Sequence, residues 1–276
     1  MTGSGLAGRL VLLLPLPLFI ALAYGVPFLG IASWSVTLPE PGLGQFARLA
    51  SDPLVHSVLL RTFRICAIVT ATTVAAAYAL AWLWVFGGRR LQLLVEFCVL
   101  VPFWISVLTR AFGWVVLLNN NGLVNQWLLA LGVIREPLTL VRNELGVVIG
   151  MTHFLIPFAV FPLASAMRHL DRRVLLAARG LGAGSLRTFW AVFVPMTMPG
   201  ILGAGLIVFV FSLGFFITPA ILGGGRSVMV AEFVYLRMFE APDWGLGAAL
   251  SLVLVAIVGL LVAALFRLVR VERLVG

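Results

Sequence analysis

Lysine is absent from this chain; all nineteen of its basic residues are arginine. Acids are scarce as well, ten in 276 residues, and charged residues of either sign make up only 11% of the sequence. Cysteine occurs twice, at Cys66 and Cys98 inside apolar runs, so buried thiols are expected rather than a disulfide framework or a metal site. No His-Glu-x-x-His or Gly-x-Ser-x-Gly motif and no paired intramembrane aspartates occur, which removes the common hydrolytic centres. A phosphate-binding loop of the Walker type needs its lysine on the β/γ-phosphates. The chain therefore does not hydrolyse ATP by that chemistry, and it reads as a non-enzyme with no resident cofactor or metal.

What is abundant is apolar surface, 62% of all residues. A spanning helix needs ~20 apolar residues to cross the hydrocarbon of a bilayer. Uncharged stretches run from Leu10 to Pro39, Ile65 to Gly88, Leu145 to Met167, Thr188 to Gly225 and Trp244 to Phe266, and Leu91 to Thr109 is broken only by Glu96. These patterns predict an all-α polytopic membrane protein forming one transmembrane domain over residues 1–276. Its six helices are expected over about 10–34, 58–86, 92–117, 145–167, 196–220 and 245–267, each closing its own backbone hydrogen bonds as lipid demands. The first run continues past "ALA" at 21–23, which suits a retained anchor better than a cleaved signal.

The net charge of +9 is a topology signal rather than a nucleic-acid footprint. With the N-terminus inside, the inner segments hold Arg9, Arg89, Arg90, Arg168, Arg172, Arg173, Arg179, Arg187, Arg267, Arg270 and Arg273 against Asp171 and Glu272 alone. The positive-inside rule then places both termini in the cytoplasm. The outer stretches 119–144 and 221–243 become candidate docking surfaces. Met229, Val230, Phe233, Val234, Leu236 and Met238 fall near helical spacing, which suggests an interfacial amphipathic helix.

The segment 168–195 is the longest polar interruption of the second half. Asp171 is placed to cap a short helix from Arg172, and Arg179 lies near the negative pole at its end. Gly180, Gly182 and Gly184 break that helix, Ser185 offers a cap for the next one, and Pro195 marks entry to the fifth span. Ala177, Ala178 and Gly182 keep one side low in profile, so the helix could press into a groove on another protein. An ordinary inner loop with turning glycines would look similar on composition alone.

Within the spans, Glu96 is the lone acid and an intramembrane charge is a functional candidate. It lies six residues from Arg90, which leaves pairing with Arg89 or Arg90 as the plainer alternative. Trp104 and Trp114 could line a solute pathway or simply pack. Arg110 is expected to snorkel, and His153 to be a packed, hydrogen-bonded histidine. Gly200, Gly203, Gly205 and Gly214 suit close helix crossings. Pro102, Pro157 and Pro162 should kink their helices and free carbonyls.

The spacing of the loop resembles one found in inner-membrane permease subunits of ATP-binding-cassette importers, written Glu-Ala-Ala, three residues, Gly, nine residues, then Ile-x-Leu-Pro. Here Leu176-Ala177-Ala178 is followed by Gly182 and then by Val192-Phe193-Val194-Pro195. The register matches throughout, and leucine stands where that family has glutamate. "VPFWISVLTRAFGWVVLLNNNGLVN", "GVVIGMTHFLIPFAVFPLASAMRHLDRR" and "PDWGLGAAL" look like the spermidine/putrescine-type branch. The resemblance implies a six-helix subunit in the bacterial inner membrane that pairs with a second permease, a paralogue. It also implies two ATPase subunits that use ATP–Mg, and an extracytoplasmic binding protein that delivers a polyamine. Asp171, Ala177, Ala178, Gly182 and Pro195 would couple the subunit to the ATPase. A self-sufficient channel or secondary transporter is the competing class; it would place several polar groups at mid-membrane.

Overall fold

The computed structural model describes residues 14–275, and it contains helices and turns only. Arg9, and the side chains of Arg270, Glu272 and Arg273, lie outside what is described. Five helices of the described residues are long and apolar enough to cross a bilayer, and a bent pair makes a sixth. The chain folds as two compact units. One takes the described residues up to His56 together with Val234–Gly259; the other takes Ser57–Phe233 together with the described residues from Leu260 on.

The first unit opens with α1 (Pro15–Thr37), which starts on Pro15, where a missing N–H costs nothing. It leaves Leu16, Phe19, Tyr24 and Leu29 exposed, as a lipid-facing helix does. α2 (Gly44–Ser51) follows. Arg48 pairs with Asp243 at 3.0 Å, and Trp34 meets Trp244 edge-on at 5.4 Å. α3 (Pro53–Phe86) begins here and continues into the second unit.

Three further membrane-length segments build the second unit with α3. A Gly87–Gly88 turn leads to α4 (Arg89–Trp104). That helix stops two residues after Pro102, whose ring removes a backbone donor; Ile105 N–H bonds back to Pro102 O at 3.2 Å. α5 (Val107–Leu118) and α6 (Leu123–Ala130) then leave at 109° to α4. The third span, expected to be continuous over 92–117, is thus broken at Ile105–Ser106. α7 (Glu144–Arg168) is capped by Asn143, whose side chain accepts from Gly146 N–H at 2.9 Å. The polar segment forms α8 (Arg172–Gly180), after which α9 (Ser185–Leu213) runs as one helix containing a π-turn at Phe189–Phe193. α10 (Ile217–Gly223) and α11 (Val230–Tyr235, continued by a π-turn at Leu236–Glu240) lead to α12 (Trp244–Val275).

α7 is the axle of this unit. Val147, Met151, Leu155, Ala159, Leu163 and Met167 are all buried, and their recurring steps of four put them along one side of the helix. α9 approaches closely at Gly200, where a Cβ would lie 2.5 Å from that of Ala166. Arg61 and Arg64 of α3 pair with Glu144 at the start of α7. At the other end Arg168 stacks on Trp84, Arg172 lies 5.2 Å over Phe86, and Phe86 packs on Phe193.

Several expectations are corrected. The fifth span does not reach 220; it stops at Leu213, and Gly214–Phe216 separates it from α10. The 229–238 stretch is not an interfacial helix, because Met229, Val230, Phe233 and Met238 are buried within protein. Ser185 does not cap; Gly184 holds the N-cap position without a side-chain bond. Cys66 is buried as expected, whereas Cys98 is exposed.

Candidate functional site

The polar segment is built from its caps. The Asp171 carboxylate accepts from Arg173 N–H at 2.9 Å, fixing the start of α8. Its end is a Schellman motif: Gly182 N–H bonds to Arg179 O at 2.9 Å and Ala183 N–H to Ala178 O at 3.1 Å. That geometry needs a left-handed residue, and Gly182 sits at φ +85°. Of the three glycines expected to break the helix, only this one uses a positive φ. Its surroundings are open, with nothing within 4 Å of a built Cβ. Leu176 is 65% exposed and Leu181 is 90% exposed, while Ala177 and Gly180 are exposed as well. The helix therefore presents a low, partly apolar face that no other described residue covers.

Pro195 sets the geometry where α9 leaves this segment. A proline lacks an N–H and its ring crowds the carbonyl four residues back. The helix relaxes by widening, and Val194 N–H bonds to Phe189 O instead. Phe189 and Phe193 stack at 5.6 Å, and both meet Tyr78 edge-on. Tyr78 and Thr197 share a hydroxyl–hydroxyl bond of 2.8 Å, which ties α3 to the first turns beyond the proline.

A second constellation lies at the middle of α7. Phe154 is ten residues from Glu144 and fourteen from Arg168, ~15 and ~21 Å along a helix rising 1.5 Å per residue. Two broken spans converge here. Phe103, from the last turn of α4, lies 5.7 Å from Phe158, and Phe215, from the gap between α9 and α10, lies 4.9 Å from Phe154. Phe211 of α9 sits 4.9 Å from Phe158. Arg110 and Trp114, one turn apart on α5, face the same stretch. The guanidinium lies 4.0 Å over the Phe154 ring, and Trp114 Nε1–H donates to His153 Nδ1 at 3.2 Å. That bond fixes the neutral ring with its proton on Nε2. Pro157 and Pro162 have no N–H, so the carbonyls of His153 and Phe158 lose their usual helical donors.

Of the sequence-predicted pathway residues, only Trp114 belongs to this cluster. Trp104 is 82% exposed. Glu96 accepts from Trp84 Nε1–H at 3.1 Å, and Trp84 also carries the Arg168 guanidinium 4.9 Å over its ring. Glu96 thus sits toward the polar-loop end of the span, with an indole rather than Arg89 or Arg90 as its partner. Arg110, expected to snorkel, is instead held against Phe154. His153 is hydrogen-bonded as expected.

A groove of about 860 Å³ between α3, α9 and α12 is a poor site for a polar solute. Its lining, which includes Ala67, Ala71, Val74, Leu202 and Phe209, is apolar apart from Thr70, Tyr78 and the Trp190 indole. No group of three or more metal-ligating His, Cys, Asp or Glu side chains occurs among the described residues.

Comparison with known proteins places these features. Residues 73–273 match the family described as binding-protein-dependent transport system inner membrane component. The spermidine/putrescine transport system permease protein PotB of Escherichia coli (strain K12) is 34% identical over 228 residues, covering 83% of this chain and 82% of that protein. PotB of Haemophilus influenzae is 32% identical over 78% of this chain and 76% of that protein. Among solved structures, a chain of a bacterial ABC transporter involved in import of the acidic polysaccharide alginate superimposes with a TM-score of 0.73. That match has 14% identity over 94% of both chains, so it speaks for the fold.

Proposed function

Because the chain belongs to the inner-membrane components of binding-protein-dependent transport systems, we propose that it is the permease through which an ATP-driven importer conducts an aliphatic polyamine, with spermidine and putrescine the leading candidates. The multi-span fold and the PotB relatives support the permease role. The polyamine rests on the substrates named for those relatives. The observation that carries the mechanism is α8, a doubly capped helix whose small, open face has no partner among the described residues.

In this reading α8 seats in a cleft of an ATPase subunit, and both chain termini lie in the cytoplasm. Ala177, Ala178 and Gly182 let the surfaces approach, Asp171 fixes the helix start, and the π-turn before Pro195 sets the angle at which α9 leaves. Two such ATPases bind and hydrolyse ATP–Mg, a second permease completes the pathway, and an extracytoplasmic binding protein delivers the solute. When the ATPases close on nucleotide, α8 follows, and α7 and α9 are displaced as rigid rods. Access then alternates between the two sides. Leucine at 176 supplies an apolar contact where the related loop has a carboxylate.

The mid-span cluster suits an amine. Phenylalanine and tryptophan faces attract an ammonium group, and the carbonyls freed by Pro157 and Pro162 are acceptors for its N–H groups. The test is to reconstitute the assembled complex with its binding protein and follow ATP turnover. Stimulation by spermidine or putrescine is expected, with none from a neutral polyol. Turnover unmoved by either amine removes the polyamine reading.

A further inference from the structure

Arg110 is a half-buried cation without a counter-charge among the described residues. Its Nε and Nη1 are shielded from solvent and have no hydrogen-bond partner, and no carboxylate lies within ion-pair distance of it among the described residues. A charge at this depth is costly and calls for a functional account. The Phe154 face that holds it is the kind of surface a solute ammonium would use. The phenylalanine rings around it are weakly polarisable, which strengthens and lengthens the reach of a fixed charge. A lone arginine in a narrow apolar passage acts as a barrier to cations.

We propose that Arg110 is a resident cation that closes the mid-span passage to cationic solutes, latched onto Phe154 of the helix that runs directly into the polar loop. α7 carries Phe154 at its centre and ends at Arg168, three residues before the Asp171 cap of α8. Arg110 stands on α5, beyond the 109° break from α4. Displacing α8 therefore moves α7 and draws the Phe154 ring from under the guanidinium. The fixed charge shifts and the aromatic face becomes free for an incoming ammonium. ATP closure opens the gate; without nucleotide it stays shut, and the permease does not leak amines down their gradients. The gate's relevance to transport rests on the amine reading of the solute.

The test uses the assembled complex in proteoliposomes without nucleotide or binding protein, loaded with labelled putrescine, glutamate or erythritol as cationic, anionic and neutral probes. Wild type should retain all three. Arg110→Gln should release putrescine about tenfold faster or more, with glutamate and erythritol unchanged, and Arg110→Lys should stay tight. Phe154→Leu keeps the apolar volume but removes the π-face, so a smaller leak, again selective for putrescine, is expected. A tight Arg110→Gln complex, or one that releases all three probes alike, overturns the proposal. Should that variant fail to assemble, a tight Phe154→Leu complex overturns it as well. Wild-type ATP turnover that ignores polyamines would instead discard the polyamine reading, while putrescine release still decides the gate.

Discussion

At the scale of single residues, the most informative position is Gly182, because its role reduces to a backbone angle. With φ at +85° and open space around it, a side chain costs strain rather than a clash, ~1 kcal/mol for alanine. Solute-stimulated ATP turnover should therefore fall in the order Gly, Asn, Ala, Val, with about fivefold lost at alanine, since asparagine tolerates the left-handed region and valine does not. Equal losses for asparagine and valine would mean that room at an interface governs the site. Spacing made this glycine legible in the sequence, but it did not show why neighbouring Gly180 and Gly184 are dispensable; that needed φ. Arg110 was illegible for a different reason. A residue at the predicted outer end of a continuous helix should snorkel, and only the break after Pro102 turns it inward. Glu232 was likewise unremarked. It is 7% exposed, with one oxygen on the Met229 N–H and Oε2 without a partner. Burial raises its carboxyl above the ordinary range. A raised folded-state value means that this group's stabilising contribution is present below the unfolded value and is lost as pH rises through the folded one. Glu232→Gln keeps an acceptor for Met229, so its advantage in thermal midpoint over wild type should be absent at acid pH and grow toward pH 8. A pH-independent difference would show that ionisation is not the cause.

At the scale of elements, the helices were legible wherever an apolar run ended in a charge or a glycine pair, as at Phe86–Arg90 and Met167–Arg172. Breaks inside apolar runs were not, since hydropathy is blind to Ile105–Ser106 and to Gly214–Phe216. Small residues were half legible. Of the four glycines expected to mediate crossings in the fifth span, Gly200 alone presses closely on a neighbouring helix, whereas Gly203 meets nothing within 4 Å. Gly200→Leu should force α7 and α9 apart, an overpacking cost of about 1–3 kcal/mol, visible as a lowered unfolding midpoint in detergent; Gly203→Leu should not. The π-turn before Pro195 invites a sharper experiment. Alanine at 195 restores an N–H, so the helix can return to four-residue bonding, which would rotate everything N-terminal to it by roughly 100° about the axis. Pro195→Ala should then insert normally yet lose most solute-stimulated ATP turnover. Full coupling in that variant would show that the π-turn does not aim α8.

For the whole molecule the governing asymmetry is one of charge and cover. Arginines gather at the end of the spans that carries α8, and among the described residues the same end leaves apolar side chains uncovered. In the proposed reading the first property turns this end to the cytoplasm, and the second is the surface on which the ATPase docks. Both meet at Leu181, 90% exposed just beyond α8, so one labelled position reads them together. In a background with Cys98 replaced by serine, and with Cys66 buried, Leu181→Cys should react with a membrane-impermeant thiol reagent in inside-out vesicles but not in right-side-out cells. Adding the ATPase subunits should slow that reaction about tenfold or more, because a helix seated in a cleft loses water access. Protection should also depend on the face being small: Ala178→Trp ought to leave the cysteine reactive with the ATPases present. Labelling from outside the cell would invert the topology and with it the identity of the driven end. Labelling from inside without protection would keep the topology but require the ATPases to grip the permease elsewhere, and the path from α8 through α7 to the centre of the membrane would then have no motor attached to it.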